Sequence, residues 1–265
     1  MKVKIVTLDG KQSGEMDLPE QFTEPYRPDL IRRAYHAYKT QFYQPKGAYP
    51  LAGLQTTAAY YGRRHAWRQM INTGQSHLPR EKIPGGRSGA VRIVPHSNKG
   101  RRAHPPKPWK ILRERINRKE KYKAIRSALN ASLEKPLVEK RHRYTGTLPI
   151  VVNAQFEEVK RVQDARKVLE ILGLELDLQK AHEGRKMRSG RSRLRKGGYY
   201  EPKSILIVYA KDKGIQKAVR NLPGVDAIDV KNLNAELLAP GGDAGRLIVW
   251  TQDALLEMNQ EKLFA

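Results

Sequence analysis

Arg63, Arg64, Trp67 and Arg68 stand within six residues of one another, and Arg80, Arg87, Arg92, Lys99, Arg101, Arg102, His104 and Lys107 follow before residue 110. Residues 62–110 hold 12 Lys/Arg, six Pro, six Gly and a single acid, Glu81. A second cluster, Arg185, Lys186, Arg188, Arg191, Arg193, Arg195 and Lys196, lies in residues 182–203, where eight Lys/Arg meet two acids. Cations at this density neutralise phosphates, and the counterions they release make such binding salt-dependent. Both clusters hold more Arg than Lys, which adds planar forks and stacking. His65, Trp67, His104, Trp109, Tyr199 and Tyr200 interleave with them and can stack on unpaired bases, each worth roughly 1–3 kcal/mol. A charge run is more commonly a solvated face or a disordered tail. Here the runs are internal and carry few compensating acids, which favours a polyanionic partner.

Other chemistry is sparse. The best glycine cluster, APGGDAGR (239–246), follows a predicted helix and precedes a predicted strand. A dinucleotide loop needs the reverse order, so that helix amides meet the pyrophosphate. GGRSG (85–89) lacks the spacing of a phosphate loop. His182-Glu183 begins like a zinc motif, but residue 186 is Lys. His65, His77, His96 and His104 have no ligand spacing, and the chain has no cysteine. No Ser/His/Asp grouping is visible along the sequence. Asp226 and Asp229 read as strand-end caps. The expectation is no catalytic residue, no metal site and no cofactor.

Elements to hold these clusters are legible on either side of them. KVKIVTL (2–8) followed by Asp9-Gly10 predicts a short two-stranded ribbon ending near Leu18-Pro19. A helix opens at Asp29 as N-cap, with Leu30, Ala34, Tyr38 and Phe42, or Ile31, Tyr35 and Tyr38, on its apolar side, and stops before Pro45. Residues 117–134 form the clearest helix, with a capping-box-like Asn117 and Glu120 and a stripe of Tyr122, Ile125, Leu129 and Leu133. Four strands then alternate with helices: LPIVV (148–152), SILIVYA (204–210), VDAIDV (225–230) and GRLIVWT (245–251). The helices are 164–174 with Asp164 as cap, one ending near Pro223, one over 232–240, and one from Gln252. This rhythm predicts an α/β fold, a three-layer domain with a mostly parallel four-stranded sheet flanked by helices. A long basic irregular loop extends from it. The expected organisation is 1–44 as ribbon and helix packing on the globular domain, 45–110 as the loop, and 111–265 as the α/β domain with a basic insertion at 182–203.

The whole chain has 265 residues, a net charge of +24 and a pI near 10.2. The excess is uneven: residues 1–203 carry +25 and residues 204–265 carry −1. No apolar run approaches the roughly 20 residues of a membrane-spanning helix. The N-terminus lacks the apolar segment of a signal peptide. A cytoplasmic location and RNA, DNA or an anionic surface as partner are expected.

Several stretches then resemble one family. DLPEQF, RPDLIRRA, KGRRAHPPK (99–107), AIRSALNASL (124–133), GRKMRSGRSRLR (184–195), VRNLPGVD (219–226) and NAELLAPGGDAGRLIVWTQDAL (234–255) resemble large-subunit ribosomal protein four in its archaeal and eukaryotic branch. The resemblance implies a structural protein of the large ribosomal subunit, not an enzyme. It implies a globular α/β domain on the outside of the subunit and a loop, residues 45–107, threading through large-subunit rRNA to the peptide exit tunnel. The loop tip near Lys82–Val94 would place Ile83, Gly85, Gly86 and Arg87 facing the nascent polypeptide. Neighbouring large-subunit proteins are further implied partners, with no membrane and no homo-oligomer. From residue chemistry alone, an RNA-modifying or RNA-processing enzyme and a free messenger-RNA regulator stay open.

Overall fold

The computed structural model describes residues 1–65, 69–85, 88–194 and 196–264, and of Lys196 the backbone alone. The chain divides into two compact units, Met1–Phe42 with Arg113–Ala265, and Tyr43–Leu112. Along the chain come β1 (Lys2–Val6), β2 (Gln12–Asp17) and α1 (Pro28–Lys39). The second unit holds β3 (Arg80–Lys82) and β4 (Ser88–Val91). The first unit resumes with α2 (Arg118–Ala131), α3 (Lys135–Glu139), β5 (Ile150–Val152), α4 (Val162–Ile171) and α5 (Glu175–Glu183). Then follow β6 (Lys186–Met187), β7 (Tyr199–Tyr200), β8 (Leu206–Tyr209), α6 (Ile215–Val219), β9 (Asp226–Asp229), α7 (Ala235–Leu238), β10 (Ile248–Thr251) and α8 (Gln252–Gln260).

The main sheet has six strands in the order β2-β1-β5-β10-β8-β9, not the four expected. The N-terminal ribbon accounts for the difference. Ile5 and Val6 of β1 pair in parallel with Val151 and Val152 of β5, so the ribbon is the sheet's own edge. Only β2 runs antiparallel to its neighbour. The inner strands are apolar on both faces because both are covered, and the period of two sorts their side chains. Val151, Leu206, Val208, Ile248 and Trp250 join Ile31, Ile125, Leu129 and Leu255 in one core. Ile150, Val152, Ile205, Ile207 and Val249 join Val168, Leu169, Ile215 and Val219 in the other.

Several local expectations change. The N-cap of α1 is Arg27; Asp29 sits in the first turn and pairs with Arg27 at 2.6 Å. The buried residues of α1 are Ile31, Ala34 and Ala37, so its buried face takes one residue from each expected stripe and Ala37 from neither. Asn117 does occupy the N-cap of α2, but its side chain makes no capping bond, and Glu120 pairs with Arg33 at 2.8 Å instead. The helix expected at 164–174 begins at Val162, placing Asp164 in its first turn rather than at the cap. A further helix, α5, follows it. The helix expected at 232–240 shortens to α7, capped by Asn234 Oδ1, which accepts from the Leu237 amide at 3.0 Å.

The Tyr43–Leu112 unit is built differently. Among its described residues only Met70 and Gly89 are buried. Its order comes from turns, proline and the β3–β4 hairpin, in which Arg80 pairs with Val91 and Lys82 with Ser88.

Candidate nucleic-acid interface

In the Tyr43–Leu112 unit 13 Lys/Arg meet the single carboxylate Glu81. That carboxylate is already engaged: Arg92 Nε donates to Glu81 Oε1 at 2.8 Å, and Arg92 Nη1 donates to the Asn98 carbonyl at 2.8 Å. Arg92 therefore braces the hairpin. Arg80, in β3, donates to Ser76 Oγ at 2.7 Å and is half-buried. Arg63, Arg64, Lys99, Arg101, Arg102, His104 and Lys107 are exposed. Among the described residues none of them has a carboxylate partner in this unit, since Glu81 is its only acid. Ile83 and Gly85 lie in the turn joining β3 to β4, and Ile83 is exposed. Trp67, Arg68, Gly86 and Arg87 fall outside the described residues.

The second cluster forms a small hairpin of its own. Lys186 pairs with Tyr200 and Met187 with Tyr199 across β6 and β7. A short 3-10 turn, Gly190–Leu194, carries the exposed Arg191 and Arg193. The Arg188 amide donates to the Gly198 carbonyl at 2.8 Å. Gly198 is required for this close return: its φ is +74°, and an added Cβ would stand 2.5 Å from the Arg193 carbonyl oxygen. Arg185 is spoken for within the protein. Its guanidinium lies 4.6 Å from the Tyr199 ring centroid and pairs with Glu201 at 2.9 Å. Arg195 and the Lys196 side chain fall outside the described residues.

The fold does assemble one Ser/His/Asp grouping that the sequence concealed. His142 Nδ1 lies 3.0 Å from Asp177 Oδ2, and Ser204 Oγ donates to that same oxygen. All three side chains are buried. In a nucleophilic triad the serine proton passes to the imidazole; here it is given to the carboxylate, so the group is a structural clasp between α5 and the start of β8. At the carboxyl ends of the strands, where open α/β sheets hold ligands, the buried Glu157 carboxylate intervenes. It accepts from the Ala210 amide at 2.8 Å, the Lys211 amide at 3.3 Å and Thr251 Oγ1 at 2.7 Å. Amides placed to meet a phosphate thus meet the chain's own carboxylate.

Asp229 behaves as a cap, accepting from the Lys231 amide at 3.0 Å. Asp226 does not. It pairs with the fully buried Arg246 at 2.6 Å and with Lys203 at 2.8 Å. Burial pushes the Asp226 carboxyl up, but Arg246 and Lys203 outweigh it and hold the group below its usual 3.8. Burial likewise raises Asp177, while His142, Ser204 and the Arg143 amide bring it net below 3.8. A folded-state pKa under the unfolded one gives stability that is complete above the unfolded value and is lost as pH falls through the folded one. Asp226→Asn and Asp177→Asn are therefore expected to flatten the loss of urea midpoint below about pH 4. A variant whose midpoint declines as steeply as the parent's would count against these pairs as the acid-sensitive ones.

The comparisons with known proteins agree with one another. The model of the ribosomal protein L4/L1 family matches residues 16–261. The chain is 43% identical over 256 residues to the large ribosomal subunit protein uL4 of Archaeoglobus fulgidus, covering 96% of this chain and 97% of the relative. It is 44% identical over 262 residues to the protein of that name from Methanocaldococcus jannaschii, covering 98% and 99%. It is 44% identical over 256 residues to that of Methanothrix thermoacetophila, covering 96% and 97%. These relatives are named as ribosomal proteins and not as enzymes. With a family match that runs nearly end to end and relatives above 40% identity over almost their whole length, the chain belongs to the ribosomal protein L4/L1 family.

Proposed function

We propose that this protein is a structural constituent of the large ribosomal subunit that binds large-subunit rRNA and aids its assembly. The observation that carries the reading is the family match over residues 16–261. The charge distribution supports it: the Tyr43–Leu112 unit and the 182–203 hairpin hold nearly acid-free clusters of Arg and Lys. Phosphate contacts fix a protein on RNA, and unpaired bases supply stacking partners. The contacts would run through Arg63, Arg64, Lys99, Arg101, Arg102, His104 and Lys107, and through Lys186, Arg188, Arg191 and Arg193. On this reading residues 45–110 thread rRNA, and the β3–β4 turn, with Ile83 and Gly85, lines the peptide exit tunnel beside the nascent polypeptide. Neighbouring large-subunit proteins complete the surroundings, and the place of work is the cytoplasm.

Co-sedimentation tests the assignment. The chain should travel with large subunits through a high-salt gradient, and its release into the light fractions would argue against a structural role. Limited proteolysis tests the threading. A unit with so few buried residues opens at low cost, so residues 43–112 of the free protein should be cut quickly, while incorporation into the subunit should protect them. Equal cleavage in the two states would remove the case for threading.

A further inference from the structure

Exposed aromatic and apolar side chains gather at one place in the Tyr43–Leu112 unit. Trp109 is 75% exposed, Tyr49 57% and Leu54 38%. They line a hollow of about 620 Å³ together with Pro106, Arg101 and Arg102. A second hollow of about 630 Å³ shares Trp109 and Lys107 with it. Both volumes fall within the roughly 300–1,000 Å³ typical of small-ligand sites.

The walls are held. The Ala48 amide donates to the Pro106 carbonyl at 3.1 Å, tying one side to the other. Pro50, Pro105, Pro106 and Pro108 stiffen the lining. Gln55 Nε2 donates to the Tyr49 hydroxyl at 2.9 Å. At Gly53, φ is +76° and an added Cβ would stand 2.7 Å from Arg101 Cα. Only glycine allows the chain to press that closely against the backbone that carries Arg101. Lys107 Nζ stands 5.5 Å from the Trp109 ring centroid, within cation–π range.

The lining chemistry narrows the occupant. Aromatic and proline surfaces suit a flat, apolar-faced group, which a bare phosphate does not offer. The cations around them call for an anion attached to that group. The unit's one carboxylate, Glu81, is occupied by Arg92, so nothing here would attract a cationic ligand. A base joined to its phosphate has both properties. We propose that this hollow receives a single unpaired nucleobase of RNA against the Trp109 indole, with the attached phosphate held by Arg101, Arg102 and Lys107. The proposal rests on the rRNA-binding reading above and deepens it by assigning a base-binding site.

The test compares two oligonucleotides of equal length and charge, a single-stranded oligoadenylate and an abasic ribose-phosphate chain, binding to the full-length protein. Trp109 is largely exposed, so Trp109→Leu and Trp109→Phe should leave the fold intact, which circular dichroism checks. Trp109→Leu is expected to weaken oligoadenylate binding roughly 5- to 100-fold, the equivalent of one lost stacking contact. Its affinity for the abasic chain should stay within about twofold of the parent's, and Trp109→Phe should recover most of the loss. Equal losses on both oligonucleotides would reduce the site to charge alone and overturn the proposal. Undiminished oligoadenylate affinity in Trp109→Leu would also overturn it, leaving the apolar face to a protein neighbour. A parent protein that binds neither oligonucleotide nor rRNA would instead bring down the rRNA-binding reading, and this proposal with it.

Discussion

Replacing Arg246 by Met is expected to lower the free energy of unfolding by about 3–5 kcal/mol, the usual cost of stranding one partner of a buried ion pair. Arg246 is fully buried. Its Nε donates to the Ser204 carbonyl at 2.8 Å, its Nη1 to the Leu237 carbonyl at 2.9 Å, and its Nη2 to Asp226 Oδ2 at 2.6 Å. One guanidinium therefore joins the chain before β8, the end of α7 and the start of β9. Methionine would fill the volume but leave the Ser204 and Leu237 carbonyls without the guanidinium donors and Asp226 with Lys203 as its remaining cation, which is the expensive outcome. Lysine carries a charge but not the planar fork, so Arg246→Lys should recover only part of the loss. Urea titration at neutral pH measures both. A midpoint for Arg246→Met equal to the parent's would show that the network contributes nothing net.

Changing Arg188, Arg191 and Arg193 together to Gln is expected to weaken binding to large-subunit rRNA about 100-fold at 0.1 M salt. The slope of log affinity against log salt should flatten by about two to three. The structure sets Arg185 apart from these three. With its guanidinium already stacked on Tyr199 and paired with Glu201, Arg185→Gln should leave the salt slope nearly unchanged. A slope as shallow in that single variant as in the triple one, or no change in either, would remove the hairpin from the phosphate interface.

Much of this was legible in advance because it depends on local signals. Charge density, proline and glycine are written in composition, so the two basic segments stood out. Strands β5, β8 and β10 announced themselves as apolar runs, as strands covered on both faces must. What escaped depends on distance along the chain. β1 alternates like a half-exposed ribbon, and nothing in residues 2–6 says that Ile5 will lie beside Val151. Helix α5 buries only Asp177 and Ala181, too little for a periodic signal to emerge. Asp226 was misread because its partner is 20 residues on, and a buried Arg reads in sequence like any surface cation. The same limit applies to the candidate interface. Density marks the cationic segments, but only the fold distinguishes Arg92 and Arg185, held by carboxylates of the same chain, from exposed neighbours such as Arg101 and Arg191.

The Tyr43–Leu112 unit is an internal segment whose two ends both return to the other unit. A segment anchored at both ends cannot be drawn tip to tail through a closed ring. It either enters as a doubled strand or has the ring close around it. On the rRNA-binding reading the two routes differ in their order in time. Entry as a doubled strand can follow folding of the RNA, whereas closure around the segment requires the protein to arrive while that RNA is still open and the RNA to unfold before the protein can leave.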